Sequence, residues 1–412
     1  MTFKVKTKGQ NEGEKLLEPK LRFKEFKNNW NLMSLNSLME FKNGINATKD
    51  AYGKGIKYIS VTDILNNNFI TYEKIKGLVN IDNITLKNNS VTYGDVVFQR
   101  SSETIEDIGR ANVYLDHNKI ATFGGFVIRG KKKGDYNPLF INYLLQNSSS
   151  RKAIIVKGAG AQHYNISQEE LEKIELYFPS IQEQEKIANL LSLLDKKIEL
   201  QKRKVDALKI YKRGLLYKIF NKNTPNFKIK DILILGKSGG TPKSTNPSYY
   251  NGKIPFLSIT DMTSQGKYIK QTEKHISYEG LNNSSAWLLP INTLILSMYA
   301  SYGLVSINKI ELSTSQAMFN MILKEDINIE YIYYYLNYLR ETHFYDELVS
   351  TGTQSNLNAD KVKNIPIYLP TKSEQDMIST LFNTFDKKIK LEENDLNNLT
   401  MFKKSLLQQM FI

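Results

Sequence analysis

The chain has 412 residues, 41% of them hydrophobic, which is enough for two or three globular units with cores of their own. Its formal net charge of +14 indicates a polyanion or an acidic membrane as partner, because basic surface releases counterions from phosphates. The chain has no cysteine, which excludes disulfides, zinc–thiolate sites and thiol catalysis.

The N-terminal segment, residues 1–20, is polar, and we expect it to be a flexible tail. It lacks the apolar core of a signal peptide, and no apolar run elsewhere reaches membrane-spanning length. We therefore expect a cytoplasmic protein without a membrane partner.

A first globular domain is predicted over residues 21–177. Short β-branched and aromatic runs, such as Val96–Phe98 and Phe126–Ile128, are broken by Gly, Asn and Asp, which is typical of strands joined by turns. A helical stretch follows at residues 138–147. The combination predicts a mixed α/β fold.

A long helix is predicted within residues 178–223. Pro179 is followed by Ser180 and Glu183, the pattern of a capping box. Mainly apolar residues then recur at alternating spacings of four and three, which forms an apolar seam on one face of the helix and suits pairing with another long helix. At the rise of an α-helix, each helix could extend about 60 Å. The seam residues are Ile187, Leu191, Leu194, Ile198, Gln201, Val205, Leu208, Lys212, Leu215 and Ile219.

The second half follows the same plan. A second domain is predicted over residues 224–368, with strand-like runs at 294–296 and 318–321 and a helical stretch at 329–340. A second long helix is predicted within residues 369–412, opened by a capping box of Thr371 and Glu374. Its seam residues are Ile378, Phe382, Phe385, Ile389, Glu392, Leu396, Leu399, Lys403, Leu406 and Met410.

The two halves are an internal repeat. Residues 178–220 align without a gap with residues 369–411 at an offset of 191, and 15 of the 43 positions are identical, including Asp195–Ile198 against Asp386–Ile389. We predict two tandem α/β (α+β) domains joined by two long helices that pair as an antiparallel coiled coil, with an internal pseudo-two-fold repeat. The alternative is that the helices belong to separate bundles.

This plan resembles the specificity subunits of Type I restriction–modification systems. The resemblance rests on Leu21-Arg22-Phe23 near a Trp, on Gly239-Gly240-Thr241-Pro242, on residues 254–258, and above all on FPxxxEQ at 178–184 with LPxxxEQ at 369–375. It implies that each domain is a target recognition domain reading one half of a split, asymmetric site on double-stranded DNA. It also implies that the chain is not itself an enzyme.

The resemblance further implies partner subunits. Two modification subunits would bind S-adenosylmethionine and methylate adenine N6, and restriction subunits would translocate DNA with ATP and Mg and cleave it. We expect no cofactor or metal on this chain. The charged members of the repeated block are candidate docking contacts, or else intramolecular ion pairs: Asp195, Lys196, Lys197, Asp386, Lys387 and Lys388.

Readout of base edges needs side chains such as Arg, Lys, Asn or Gln at loop tips. The leading candidates are a loop at 99–102, its counterpart at 297–302, and a loop at 239–245 that could place Lys243 against a phosphate. Each could instead be an ordinary solvated or packing loop. The candidate DNA-binding residues are Gln99, Arg100, Ser101, Ser102, Arg110, Gln162, Thr241, Lys243, Ser244, Tyr299, Ser301, Tyr302 and Gln354.

Two other function classes stay open. One is a self-sufficient DNA methyltransferase or nuclease, because residues 246–249, Asn-Pro-Ser-Tyr, approach the Asn-Pro-Pro-Tyr motif that holds a flipped base. The second Pro is missing and no glycine-rich cofactor loop follows a strand, which argues against it. The other is a coiled-coil adaptor that never touches DNA, a view that the positive charge weakens.

Overall fold

The computed structural model describes residues 3–5, 18–158, 160, 163–299, 301–350 and 357–412. The chain divides into two compact units: unit 1 combines Met1–Gln201 with Asp395–Ile412, and unit 2 is Lys202–Asn394. Each unit therefore contains one globular domain, the first part of the long helix that follows it, and the last part of the other long helix.

The domain of unit 1 is a mixed α/β fold, as predicted. Its strands are β1 Phe3–Val5, β2 Leu21–Phe23, β3 Asn31–Ser34, β4 Met39–Asn43, β5 Tyr52–Ile59, β6 Leu78–Val79, β7 Val96–Gln99, β8 Ser101–Ser102, β9 Ala111–Val113, β10 Thr122–Phe123, β11 Val127–Lys132, β12 Tyr164–Asn165 and β13 Glu175–Phe178. Its helices are α1 Leu35–Leu38, α2 Val61–Asn66, α3 Asn83–Asn88, α4 Pro138–Gln146, α5 Ser148–Ile155 and α6 Gln168–Glu172, followed by the long α7, Ile181–Phe220.

The domain of unit 2 has the same plan. Its strands are β14 Phe227–Lys228, β15 Leu233–Ser238, β16 Tyr250–Leu257, β17 Tyr268–Ile269, β18 Lys274–Ile276, β19 Leu294–Ser297, β20 Val305–Asn308, β21 Ser313–Thr314, β22 Met318–Leu323 and β23 Pro366–Ile367. Its helices are α8 Ile259–Gln265, α9 Tyr278–Asn282, α10 Ile329–Glu341, α11 Phe344–Ser350 and α12 Ala359–Lys363, followed by the long α13, Lys372–Gln409.

Equivalent strands pair in equivalent orders in the two units. The larger sheet has the order β4-β11-β7-β9 in unit 1 and β15-β22-β19-β20-β17 in unit 2. The smaller sheet has a central strand with one parallel and one antiparallel neighbour, in the orders β10-β5-β6 and β21-β16-β18. Each larger sheet packs its buried aliphatic and aromatic face on α4 or α10, so the cores are built alike.

The glutamine of the repeated FPxxxEQ and LPxxxEQ pattern joins each long helix to its domain. Gln184 Oε1 accepts a hydrogen bond from the backbone N–H of Asn137 at 3.0 Å, and Gln184 Nε2 donates to the carbonyl of Pro179 at 3.0 Å. Gln375 makes the same two bonds, with Asn328 and Pro370, at 2.9 and 3.0 Å. Asn137 and Asn328 are themselves the N-caps of α4 and α10, so one buried amide connects two helix starts.

The two predicted capping boxes differ. At the start of α13, Thr371 and Glu374 form the complete box. At the start of α7, Ser180 Oγ accepts from the Glu183 N–H at 3.4 Å, but the Glu183 carboxylate binds the guanidinium of Arg22 through two bonds of 2.8 Å. Both side chains are almost fully buried, so the predicted reciprocal bond is replaced by a bidentate ion pair.

Part of the expected tail is structured. Phe3–Val5 pairs antiparallel with Leu21–Phe23, and the rings of Phe3 and Phe23 lie 4.9 Å apart. Residues 3–5, within the segment expected to be a flexible tail, thus form a strand with residues 21–23. An apolar side chain at position 3 has a buried neighbour that the local composition did not reveal.

The two long helices pack together along the predicted seam. All twenty seam residues are buried or partly buried. In unit 1 the first turns of α7, with Leu191 and Leu194, share a core with Leu406 and Met410 near the end of α13. In unit 2 the last turns of α7, with Leu216 and Phe220, share a core with Phe382 near the start of α13. The start of each helix thus meets the end of the other, which confirms the antiparallel pairing.

A Tyr–Asp–Lys latch occurs once in each unit at the seam. In unit 1, Asp195 of α7 accepts a bond from the Tyr143 hydroxyl of α4 at 2.7 Å and pairs with Lys403 of α13 at 2.5 Å. The Lys403 ammonium lies 5.5 Å from the centre of the Tyr143 ring. Burial and the neighbouring Asp195 carboxylate raise the pKa of Tyr143, so its hydroxyl stays a donor.

The second latch repeats the first at the offset of 191. Asp386 of α13 accepts from the Tyr334 hydroxyl of α10 at 2.5 Å and pairs with Lys212 of α7 at 2.5 Å, with the ammonium 5.3 Å from the Tyr334 ring. Lys212 is the polar residue in the second part of the α7 seam, and Lys403 is its counterpart in the α13 seam. Each of these lysines balances the aspartate of the repeated block on the other helix.

Among the residues described, no helix is both long enough and apolar enough to cross a membrane.

We expect Lys403→Ala to lower the free energy of unfolding by about 2 kcal/mol, because it leaves the Asp195 carboxylate, 9% exposed, without its cation. Lys212→Ala should cost less, since Asp386 is 34% exposed and within reach of solvent. Urea unfolding measures both. The control is Lys404→Ala, which removes an exposed lysine one position along; an equal loss in this variant would contradict the role of the latch.

Candidate nucleic-acid interface

Three loops of unit 1 meet where strand β7 ends. The backbone N–H of Gly44 donates to Val127 O at 3.0 Å, that of Ile45 to Phe123 O at 3.0 Å, and that of Arg100 to Phe126 O at 2.9 Å. We call residues 44–46, 99–102 and 124–126 the first loop cluster. The 124–126 loop lies between residues 44–46 and the leading candidate segment, 99–102, which comprises the end of β7, Arg100 and the short strand β8.

Within the first loop cluster the candidate residues have different environments. Gln99 is 5% exposed, and its Nε2 donates to Ser101 O at 2.9 Å, so it supports the loop from beneath. Arg100 is half-buried and donates to Gly125 O at 3.3 Å. Ser101 Oγ donates to Asn165 Oδ1 at 2.6 Å, and Ser102 Oγ accepts from the Thr104 N–H at 3.2 Å.

Arg110 lies at the end of the loop that follows the cluster. Its side chain is half-exposed, and its Nε donates to Asp107 Oδ1 at 2.5 Å. This bond is the main reason that the pKa of Asp107 lies below its ordinary value. The guanidinium keeps further N–H groups beyond the one that Asp107 accepts.

Three loops of unit 2 meet in the equivalent way. The N–H of Gly239 donates to Met318 O at 3.1 Å, that of Gly240 to Thr314 O at 2.9 Å, and that of Met298 to Ala317 O at 2.7 Å. We call residues 239–245, 297–299 with 301–302, and 315–317 the second loop cluster. The structure therefore brings the described parts of the two candidate loops of this half, 239–245 and 297–299 with 301–302, to one edge.

The candidate DNA-binding residues of the second loop cluster also differ in how far their side chains are exposed and hydrogen-bonded. Lys243 and Ser244 are exposed, and Tyr299 is 38% exposed. Ser301 has a left-handed φ of 60° and its carbonyl accepts from Ser297 Oγ at 2.8 Å, which fixes a tight turn. Tyr302 turns towards α11, where its hydroxyl donates to Asp346 at 2.6 Å.

Sequence reasoning missed three exposed side chains in these clusters. Phe126, counted there as part of a strand, is 68% exposed beside the first candidate loop. Asn46 is exposed in the same cluster, and Gln316 is exposed in the second, where its Oε1 accepts from Thr241 Oγ1 at 2.5 Å. No sequence signal set them apart from other loop residues. The candidates Gln162 and Gln354 lie outside the described residues.

The repeated block on the long helices splits into two kinds of residue. Asp195 and Asp386 are the intramolecular latch residues. The candidate docking residues Lys196, Lys197, Lys387 and Lys388 are exposed, and Lys388 pairs with Glu392 at 2.8 Å.

Each unit also carries large apolar side chains that are exposed on the long helices, outside the seam. In unit 1 they include Leu200 (65%), Met401 (71%) and Phe402 (55%). In unit 2 they include Leu391 (61%), Ile210 (63%) and Tyr211 (62%). The two sets correspond one to one at the offset of 191, a signal that was present in the sequence. We call them the paired apolar sets.

A family model described as the Type I restriction modification DNA specificity domain matches the chain twice, at residues 27–209 and 221–401. The chain is 28% identical over 186 residues to the Type I restriction enzyme MjaIX specificity subunit of Methanocaldococcus jannaschii, covering 45% of this chain and 43% of that one. It is 30% identical over 182 residues to the HindI specificity subunit of Haemophilus influenzae, covering 41% and 39%. The alignments thus span less than half of these two relatives.

A longer match covers 93% of both chains at 22% identity, to the putative type I restriction enzyme MjaX specificity subunit of M. jannaschii. Among solved structures, the Type I restriction–modification S subunit from M. genitalium superposes with a TM-score of 0.58 at 17% identity, covering 96% of this chain and 99% of that one. A chain from a study of complex assembly and conformational transition of the type I R-M system gives a TM-score of 0.62 at 12% identity, covering 92% and 96%.

We expect Arg110→Gln to return the pKa of Asp107 upwards towards its ordinary value, because it removes the bond that lowers this pKa most. The sign for stability follows: the folded-state pKa of Asp107 is depressed, so the pair stabilises the fold above the unfolded-state pKa and this stabilisation is lost as the pH falls through the folded value. An NMR titration of the carboxyl group measures the change. An unaltered Asp107 pKa would mean that the two side chains are apart in solution.

Proposed function

The chain belongs to the family of Type I restriction–modification DNA specificity domains, and on that premise we propose that it is the DNA-sequence-specificity subunit of a Type I complex. The observation that carries the proposal is the family match in both halves, each with its own loop cluster. Two loop clusters on equivalent scaffolds suit a bipartite site, with one half read by each domain. Because their side chains differ, the site would be asymmetric.

The chemistry of the loop clusters supports readout of DNA. The second cluster offers exposed Lys243, which suits a phosphate, and Gln316, whose amide can pair with adenine in the major groove. The first offers Arg100 and the exposed ring of Phe126, which suits contact with a thymine methyl group. The net charge of +14 adds the nonspecific attraction on which such readers depend.

In this proposal the chain positions other subunits and is not catalytic itself. The modification subunits would bring S-adenosylmethionine and methylate adenine N6, and the restriction subunits would use ATP and Mg. Within the described ranges, no group of three or more His, Asp or Glu is arranged to hold a metal ion. The assembly would act in the cytoplasm on double-stranded DNA.

We propose further that the paired apolar sets dock the two modification subunits. Single exposed apolar side chains are common on protein surfaces, but a set that recurs at equivalent positions of two repeats indicates an interaction site. Their repetition at the offset of 191 gives each unit the same chemical surface, which suits two identical partners. The exposed lysines Lys196 and Lys387, one in each unit, are candidates for the polar part of the same contact.

The first test is methylation mapping by single-molecule sequencing in a methylation-free host that carries this gene and its neighbouring modification subunit. We expect a split, asymmetric motif methylated on adenine in both halves and absent when this gene is deleted. Methyl transfer by the isolated chain would instead make it an enzyme. A complex that assembles but neither methylates nor binds any duplex would make it an adaptor.

For the docking surface, we expect the double variant Leu200→Glu, Met401→Glu to lose one of two modification subunits, since charge replaces apolar contact in unit 1 alone. The mirrored pair Ile210→Glu, Leu391→Glu should lose the other. Native mass spectrometry measures the stoichiometry. The matched control is Leu193→Glu: Leu193 is 58% exposed on α7, but its counterpart at the offset of 191 is Thr384. Full stoichiometry in both double variants would rule out this surface.

A further inference from the structure

A polar pocket of about 280 Å³ opens in unit 1 beside the loop of residues 103–110. It is lined by Arg110 and Arg151, by the polar residues Asn67 and Gln146 and by apolar residues such as Leu145, and no Asp or Glu lines it. The two guanidinium groups carry like charges, and only Arg110 has a carboxylate partner among the described residues, Asp107, so the pocket keeps an excess of positive charge. Forked N–H donors of this kind fit the oxygens of a phosphate.

Arg151 is held rigidly and keeps one donor unused. Its Nη2 donates to Glu106 O at 2.9 Å and to Ile108 O at 2.6 Å, so it also supports the 103–110 loop. Its Nη1 is buried and has no hydrogen-bond partner among the described residues. Burial, and then the like charge of Arg110, lowers the pKa of Arg151 to about 10, which still leaves it charged at neutral pH.

Arg110 is the accessible member of the pair. Asp107 accepts from its Nε, and the remaining N–H groups of this half-exposed side chain are available to a ligand at the pocket. Asp107, on the same loop, lines a separate depression together with Gln99, Ser101, Ser102 and Phe126 of the first loop cluster. The loop of residues 103–110 therefore connects the arginine pocket to the first loop cluster.

The internal repeat indicates that the fold does not need this arginine pair. Arg110 follows Gly109, whose φ is 60°, and precedes β9; in unit 2 the corresponding Gly303, with a φ of 79°, is followed by Leu304 before β20. Helix α11, the counterpart of α5, contains no arginine in its sequence FYDELVS. Unit 2 therefore forms the same scaffold with Leu304 and Thr342 at the positions equivalent to Arg110 and Arg151, although Arg340 lines a pocket nearby.

We propose that the Arg110–Arg151 pocket binds one backbone phosphate of DNA beside the half-site read by unit 1. The proposal rests on the proposed function and assigns Arg110 a phosphate rather than a base. DNA is favoured over an acidic side chain of a partner subunit because the pocket shares its loop with the first loop cluster. Arg110 would fix the position of the duplex and carry no sequence information.

The test measures DNA binding by the full chain assembled with its modification subunits. Arg110→Gln removes the accessible charge and leaves the loop support of Arg151 in place, while Asp107→Asn releases Arg110 from its ion pair. The control is Lys173→Gln, because Lys173 is exposed in the same unit and forms the same kind of three-residue-spaced ion pair, with Glu170. Affinity is measured between 50 and 200 mM salt, and then on duplexes carrying a neutral methylphosphonate at one backbone position at a time.

We expect Arg110→Gln to reduce the steepness of log affinity against log salt by about 0.9. Between 50 and 200 mM salt, the variant should therefore lose about threefold to fourfold less affinity than the wild type loses. Its methylation motif should be unchanged. One methylphosphonate position beside the first half-site should weaken the wild-type complex and leave Arg110→Gln unaffected. Asp107→Asn should bind more tightly at low salt, and Lys173→Gln should match the wild type.

Other outcomes overturn the phosphate assignment. A relaxed base at one motif position in Arg110→Gln would make Arg110 a base reader, and a lost modification subunit would make the pocket a partner contact. Inhibition by inorganic phosphate, beyond chloride of equal ionic strength, without any sensitive methylphosphonate position would assign a free anion. An unchanged salt slope would leave no ligand role. A wild-type complex that binds no DNA would defeat the proposed function as well, which separates the two failures.

Discussion

One aspartate in the first half of each long helix, buried at Asp195 and partly exposed at Asp386, is the constraint on which the packing of this molecule depends. A carboxylate removed from water needs a cation and a hydrogen-bond donor to be stable. Asp195 obtains its donor from Tyr143 of the preceding domain and its cation from Lys403 near the end of the other helix. Three segments far apart in sequence must therefore meet at one point, and the internal repeat makes the same demand again at Asp386.

The repeat separates what the scaffold requires from what each domain does. The latch, the glutamine that joins two helix starts and the strand order are the same in both units. The loop clusters have equivalent backbone hydrogen bonds but different side chains, with Arg100 and Phe126 in one and Thr241 and Gln316 in the other. A fixed scaffold with variable loops suits a protein whose two domains read different sequences, because specificity can change without altering the core.

Much of the fold could be predicted because it depends on local patterns. The 4–3 seam gave both long helices, and the strand-like runs gave the main sheet strands, since periodicity reports directly on which face is buried. The exposure of the loop side chains could not be predicted. Gln99 was expected as a reader, but it is buried and holds the loop, whereas Gln316 and Phe126 are exposed and were not noticed. Sequence identifies a polar loop residue but not the direction of its side chain.

The sequence by itself determined the duplication, the two long helices and their antiparallel seam, because these follow from spacing and from an alignment of the chain with itself. The tertiary structure alone decided how the polar seam residues are used. In the sequence, Asp195 is conspicuous as part of the repeated block 195–198, and Lys403 is conspicuous as a polar residue at an otherwise apolar seam position. Their pairing is a contact across 208 positions of the chain, and only the packing of α4, α7 and α13 brings the charges together.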